Sequence, residues 1–257
     1  PFWKVYKLTV SGFALNYATP VGLMGGEPYR IMELTPYVGA SKATSSVILY
    51  VMMHIFSHFC FWFFSIFLYL ALRPVDIAMG TILAVVGAVS LLAIYFFMKG
   101  YKNGMAVRTL KLLQHIPFVK EWAKRFSENK REALERVDSQ IAELHKQRRS
   151  TFYASLSLEF MARIIGCLEV YFILNILTTD VSFPACILIM AFTSLFANLF
   201  FFSPMQLGAR EGGFALAVGG LAIPGAFGVY TGLITRVREL IWIVIGVLLM
   251  KVGNGTP

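Results

Sequence analysis

Apolar and polar positions in this chain are sorted into long blocks. No Asp, Glu, Lys or Arg occurs in Val47–Leu72, Ile77–Met98, Val181–Leu207 or Gly212–Thr235. A helix needs about 20 mostly apolar residues to cross the hydrocarbon core, so each block is long enough. Four such blocks argue against a soluble fold. A membrane β-barrel would alternate apolar and polar residues in roughly ten-residue segments, and nothing here does. The pattern predicts an all-α fold: a polytopic membrane helix bundle with two Pro/Gly-broken short helices in a pseudo-repeat.

Residues 2–19 read as the end of a span. Pro28 suits the first turn of a helix, which places Glu27 at its N-terminal edge. Thr35-Pro36 and Gly39 end that helix early. Ser41 is expected to cap the next one, which runs to about Leu72. Arg73-Pro74 and Asp76 form a tight turn, and a second span covers Ile77–Met98. Thr151–Leu177 is apolar but carries Glu159, Arg163 and Glu169, and Phe183–Phe202 is another span. A short helix from Glu211 to about Ala222 is broken at Pro224-Gly225. The last span runs to Met250, with Arg236, Arg238 and Glu239 near its middle. The chain begins with proline rather than methionine, so it is expected to be a fragment or processed, with spans before it.

Composition agrees: 57% of residues are hydrophobic and 14% charged. The net charge of +9 is unevenly spread. Lys99 to Arg149 holds thirteen Lys/Arg against six Asp/Glu, an excess that marks the cytoplasmic side. Such charge suits anionic phospholipid headgroups and does not require nucleic acid. Within it, Leu110, Leu113, Val119 and Trp122 suggest a surface helix, and Leu134, Val137, Ile141 and Leu144 fall on one helix face. The organisation is therefore a first membrane half (1–98), a cytoplasmic basic amphipathic segment (99–150) and a second membrane half (151–257), multi-pass in the plasma membrane. Cys60, Cys167 and Cys186 have no metal-like spacing and read as small packing residues.

The polar interruptions repeat. TPVGLMGGEPYR (Thr19–Arg30) and SPMQLGAREGGF (Ser203–Phe214) each follow an apolar stretch, and in each a glutamate stands seven places beyond the proline. Paired short, Pro/Gly-interrupted segments in two halves point to a transporter's binding site. Broken backbone at membrane depth is tolerated only where it is buried in protein or lines a wet cavity.

Charges in the spans need partners or a purpose. Glu159 and Arg163 are four apart and pair on one helix face, as do Arg236 and Glu239 at three apart. Glu169 lies about 120° round from Arg163 and answers to another helix, while Arg238 points elsewhere. Each motif supplies its own pair: Glu27 with Arg30, and Arg210 beside Glu211. Salt bridges that only pin helices together are the plainer alternative. At helix N-termini, however, exposed N–H groups favour an anion and an arginine grips phosphate with two prongs. The glutamates then hold the arginines, attract a cationic headgroup or exchange protons. His54 and His58 have a zinc-compatible i, i+4 spacing without the glutamate of the HExxH pattern, and no cofactor or metal is expected. No nucleophile elbow, P-loop or dinucleotide fingerprint occurs.

The stretches NYATPVGLMGGEPYRIMEL (Asn16–Leu34), FFSPMQLGAREGGFAL (Phe201–Leu216) and TRVREL (Thr235–Leu240) carry a resemblance. The chain resembles the transmembrane region of lysylphosphatidylglycerol synthases and related flippase-like membrane proteins. Carried over by position, the resemblance singles out Pro20, Gly26, Glu27 and Arg30, then Pro204, Gly208 and Glu211, with Arg236 following; Asn16, which opens the first stretch, is counted with the structural positions of the motif. It implies lipid translocation between leaflets. The aminoacylating relatives add a separate soluble domain that these 257 residues do not contain, so no aminoacyl-lipid synthesis is expected. The expected function is a lipid transporter binding an anionic phospholipid headgroup in an intramembrane cleft lined by Glu27, Arg30, Arg210, Glu211, Arg236 and Glu239. A lipid-modifying transferase and a non-transporting scaffold are the alternatives. The lipid, the driving force and any homo-oligomer are left open.

Overall fold

The computed structural model describes residues 2–18, 25–103, 132, 135, 138–139, 149–178, 180–200 and 206–251. Eight helices are delimited among them: α1 (Phe2–Ala18), α2 (Gly26–Val38), α3 (Ala40–Leu72), α4 (Ile77–Asn103), α5 (Arg149–Leu177), α6 (Phe183–Leu199), α7 (Ala209–Gly219) and α8 (Gly225–Lys251). No strand occurs among the described residues. Pro20, Pro204 and the two apolar patterns of the basic segment lie outside them.

The helix limits follow from local chemistry. Gly39, at φ +82°, ends α2 in the left-handed region that suits glycine. Its carbonyl accepts from Ala43 at 2.9 Å and so begins α3. Gly39 therefore takes the place expected of Ser41, which lies inside the first turn of α3. Asp76 caps α4 by accepting from the Met79 amide at 2.7 Å. Ser182 caps α6, with Pro184 in the first turn. α6 is 17 residues long and ends at Leu199, short of the predicted Phe202. α3, α4 through Lys99 and α5 from Ser150 are long and apolar enough to cross a membrane. α8 has 27 residues, about 40 Å at 1.5 Å per residue, but carries three charges near its middle.

The chain divides into two compact units: Pro1–Glu33, Phe64–Pro74 and Ala162–Pro257 form the first, Leu34–Phe63 and Val75–Met161 the second. The second has a core of Met53, Phe56, Phe97 and Phe152, with the Phe56 and Phe97 rings stacked at 4.1 Å. The first has a core of Val170, Leu174, Val181, Cys186, Ile189, Phe214 and Val218, contributed mainly by α5, α6 and α7.

In the first unit, α7 packs on α6 and α8, and α1 packs on α8. α7 and α8 form an antiparallel hairpin: Glu211 lies against Gly232, and Phe214 and Ala215 lie against Gly228. A Cβ at Gly228 would stand 2.5 Å from the Phe214 carbonyl oxygen, so only glycine permits this approach. Further along α8, Gly246 packs on Val10 and Ala14 of α1, and its carbonyl accepts from Ser11 Oγ at 3.1 Å.

α8 is inverted relative to a helix of a soluble protein. Gly228, Thr231, Gly232, Thr235, Arg236, Glu239 and Gly246 are buried, while Val229, Leu233, Ile234, Val237, Leu240, Ile241, Val244 and Leu248 are exposed. Large apolar side chains are exposed along the other helices as well, up to 92% at Ile77. Water would penalise such a surface; lipid does not, and it leaves small and polar residues to make the helix contacts. This is a helical membrane protein.

Candidate functional site

Both motif helices begin in the first unit with a glutamate in the first turn, Glu27 in α2 and Glu211 in α7. At 13 and 11 residues they are about 20 Å and 16 Å long, short of the hydrocarbon thickness. α7 is entered through two left-handed residues, Gln206 at φ 52° and Gly208 at φ 79°. Gln206 is not a glycine, so its conformation needs outside support. It is buried, and its side-chain amide donates to Ala197 O at 3.2 Å, tying the loop to the last turn of α6.

Around the first motif, Glu27 Oε1 accepts from Arg30 NH1 at 3.2 Å and from Asn16 Nδ2 at 3.1 Å. Asn16 Oδ1 accepts from the Gly26 amide at 2.7 Å, so a side chain of α1 caps α2 from outside. Arg30 also donates to Thr9 O at 3.3 Å and lies over Gly12, where a Cβ would sit 2.7 Å from its Cζ. The predicted Glu27–Arg30 pair is present, and Gly26 is placed against the α1 backbone. Glu27 Oε2 is buried with no hydrogen-bond partner among the described residues.

Around the second motif the pairing differs from the expectation. Arg210 and Glu211 do not pair with each other. Consecutive residues point about 100° apart on a helix, and each finds its partner on α8. Arg210 NH1 bonds to Glu239 Oε1, and its NH2 donates to Tyr17 OH at 3.1 Å. Arg236 donates to Glu211 Oε1 from Nε at 3.2 Å and from NH2 at 2.9 Å, and to Glu239 Oε2 from NH1 at 3.4 Å. Glu211 Oε2 accepts from the Gly208 amide at 2.9 Å. One amide at the start of each motif helix therefore already has an internal acceptor. Glu239 is 4% exposed and Arg236 9%, whereas Arg210 is 20% exposed. On the next face of α8, Arg238 pairs with Glu169 of α5 at 2.7 Å, the other-helix partner that Glu169 required. Arg210 is also within electrostatic reach of Glu169.

Arg210, Arg236 and Arg238 thus stand against Glu169, Glu211 and Glu239, in charge balance. α1 joins this cluster to the first motif through adjacent residues: Asn16 reaches Glu27, and Tyr17 reaches Arg210. Tyr17 was not singled out in the sequence, where it carries no charge and lies before the first Pro/Gly break. Glu159 and Arg163 lie one turn apart on α5, and Glu159 Oε2 also approaches His54 Nδ1 at 3.4 Å in the second unit. Among the described residues no three His, Cys, Asp or Glu side chains form a metal-binding group.

Exposed apolar helix faces beside a largely buried arginine–glutamate cluster define a membrane protein whose clustered charges pair with one another. The chain matches the family described as lysylphosphatidylglycerol synthase TM region over residues 1–246, and it belongs to that family. No curated protein and no solved structure gave a significant match.

Proposed function

We propose that this protein binds the headgroup of an anionic phospholipid at the Arg210–Arg236–Glu211–Glu239 cluster and carries the lipid between leaflets of the plasma membrane. The observation that supports this most directly is the gathering of charged side chains around the starts of two helices too short to span, with Arg30, Arg236 and Glu239 buried. Charges in hydrocarbon cost several kcal/mol when uncompensated, about 2.5–3.5 kcal/mol each on insertion scales, and are retained mainly where they act.

Phosphate binding then works by exchange. Arg210 is the most exposed arginine of the four-residue cluster and presents its guanidinium beside the N-terminus of α7. A phosphodiester oxygen takes the place of a carboxylate on it, with the helix dipole adding to the attraction. Because the cluster is neutral beforehand, the displaced glutamate is left with excess negative charge and takes up a proton or a donor group of the headgroup. Glu27 Oε2 is an acceptor available to such a donor. Glu27 and Glu211 chiefly hold Arg30 and Arg236 in place, while the acyl chains stay in lipid against the exposed apolar faces.

Proteoliposomes carrying a fluorescent phosphatidylglycerol test the reading, with dithionite quenching reporting leaflet exchange. The wild type should speed exchange of phosphatidylglycerol over phosphatidylcholine, and the Glu27→Gln/Glu211→Gln variant should lose that gain. Unchanged exchange in the double variant refutes the assigned roles. A chemically altered headgroup recovered from the vesicles would favour a transferase instead.

A further inference from the structure

We propose that Tyr17 is a positioning residue for the headgroup site: its phenol oxygen keeps Arg210 open toward a phosphate instead of letting it close onto the carboxylates. The inference rests on the reading of the cluster as a headgroup site, and it assigns a role to a side chain outside both motifs.

A guanidinium has five N–H donors. Arg236 commits Nε, NH1 and NH2 to Glu211 and Glu239. Arg210 commits one donor to Glu239 and one to Tyr17 OH, and its other three have no hydrogen bond among the described residues. Carboxylates nevertheless surround it: Glu239 is bonded, and Glu169 is within electrostatic reach. A guanidinium in such company tends to form a two-pronged pair with one carboxylate. That pair would consume the fork a phosphate needs and cancel the charge that attracts it.

Tyr17 prevents this closure because it is an acceptor without charge. It draws NH2 away from Glu239 and adds no anion to compete with phosphate. Its anchorage is firm. The ring packs on Phe13 at 4.6 Å between centroids, and α1 is held to α8 by the Ser11–Gly246 hydrogen bond and the close approach of Gly246 to Ala14. Asn16, one residue earlier, holds Glu27 and the Gly26 amide. A single turn of α1 therefore sets the geometry at the start of both motif helices.

Tyr17→Phe removes the oxygen and keeps the ring. A purely structural hydrogen bond would lower the unfolding temperature and leave lipid affinity unchanged. The positioning role predicts the opposite split: no loss of unfolding temperature, since Arg210 gains a second bond to Glu239, but about a tenfold rise in the phosphatidylglycerol mole fraction giving half-maximal exchange, with the maximal rate retained. Retention of phosphatidylglycerol by the full chain in detergent, read by native mass spectrometry for wild type and Tyr17→Phe, gives a readout independent of transport. If wild type retains the lipid but does not move it, transport fails while weaker retention by Tyr17→Phe still supports the inference. Equal retention and equal half-saturation overturn it, as does a fall in unfolding temperature without weaker retention. If the wild type neither retains nor moves phosphatidylglycerol, the headgroup site and the role of Tyr17 fall together.

Discussion

Glu239 is the residue on which the cluster turns. It is 4% exposed, Oε1 bonds to Arg210 and Oε2 to Arg236 at 3.4 Å. Replacing it with leucine keeps the volume and removes the carboxylate that, among the described residues, the two arginines share. Arg236 retains Glu211 at 2.9 Å, but among the described residues Arg210 is left with the Tyr17 hydroxyl and no carboxylate in hydrogen-bond contact. Breaking one side of a buried ion pair costs about 3–5 kcal/mol in soluble proteins. Contacts between membrane helices are weaker on average, about 0.6 kcal/mol for hydrogen bonds, because the unfolded chain in lipid also finds partners. A stranded charge lies nearer the upper figure, so Glu239→Leu should lose about 3 kcal/mol, roughly a hundredfold in the unfolding constant. Removing both partners is different: Arg210→Met/Glu239→Leu leaves Arg236–Glu211 intact and strands nothing, so it should return to within about 1 kcal/mol of wild type. Equilibrium unfolding in mixed micelles, followed by tryptophan fluorescence, measures both. The reasoning is refuted if Glu239→Leu costs under about 1 kcal/mol, or if the double variant is as unstable as the single one.

Three further variants probe the surrounding framework. Gly228→Ala places a Cβ against the Phe214 and Ala215 backbone and should cost about 2 kcal/mol by parting α7 from α8, whereas Gly166→Ala, with nothing within 4 Å, should be neutral or stabilising by up to about 1 kcal/mol; unfolding midpoints decide. Asn16→Ala should cost about 1 kcal/mol and speed amide exchange at the start of α2, and Asn16→Asp should be worse, because it keeps the acceptor for Gly26 but sets a second carboxylate against Glu27. Glu169→Gln should cost less than about 1 kcal/mol in the same unfolding assay, since Arg238 is 51% exposed and its long side chain can turn toward polar surroundings.

How far the sequence determined these features depends on the range of the interaction. Long charge-free blocks announce membrane helices because each charge in lipid is expensive, and the breaks at Gly39 and before Gly225 were legible because glycine and proline mark them, whereas the break expected at Thr35-Pro36 does not occur: Pro36 lies inside the last turn of α2, where little of the helix remains for its ring to disturb. Glu27–Arg30 and Arg236–Glu239 followed from helical spacing alone. Glu169 needed a partner on another helix, but spacing could not name Arg238. Sequence neighbours suggest an Arg210–Glu211 pair, but adjacency in sequence is not adjacency on a helix, and the antiparallel hairpin brings both against α8. Residue type favours Ser41 as the cap, whereas the carbonyl of Gly39 already serves the first bond of α3. Tyr17 carried no charge to mark it, and only the packing of α1 on α8 brings its hydroxyl to Arg210.

The account rests on the arginine–glutamate cluster being a place where a lipid headgroup lodges. A structure of the full chain in nanodiscs containing phosphatidylglycerol tests this most directly. The account predicts headgroup density with its phosphate oxygens within about 3 Å of the Arg210 guanidinium and Glu239 shifted away from that arginine. Lipid density confined to the outer apolar faces, with the Arg210–Glu239 pair unchanged, would contradict it.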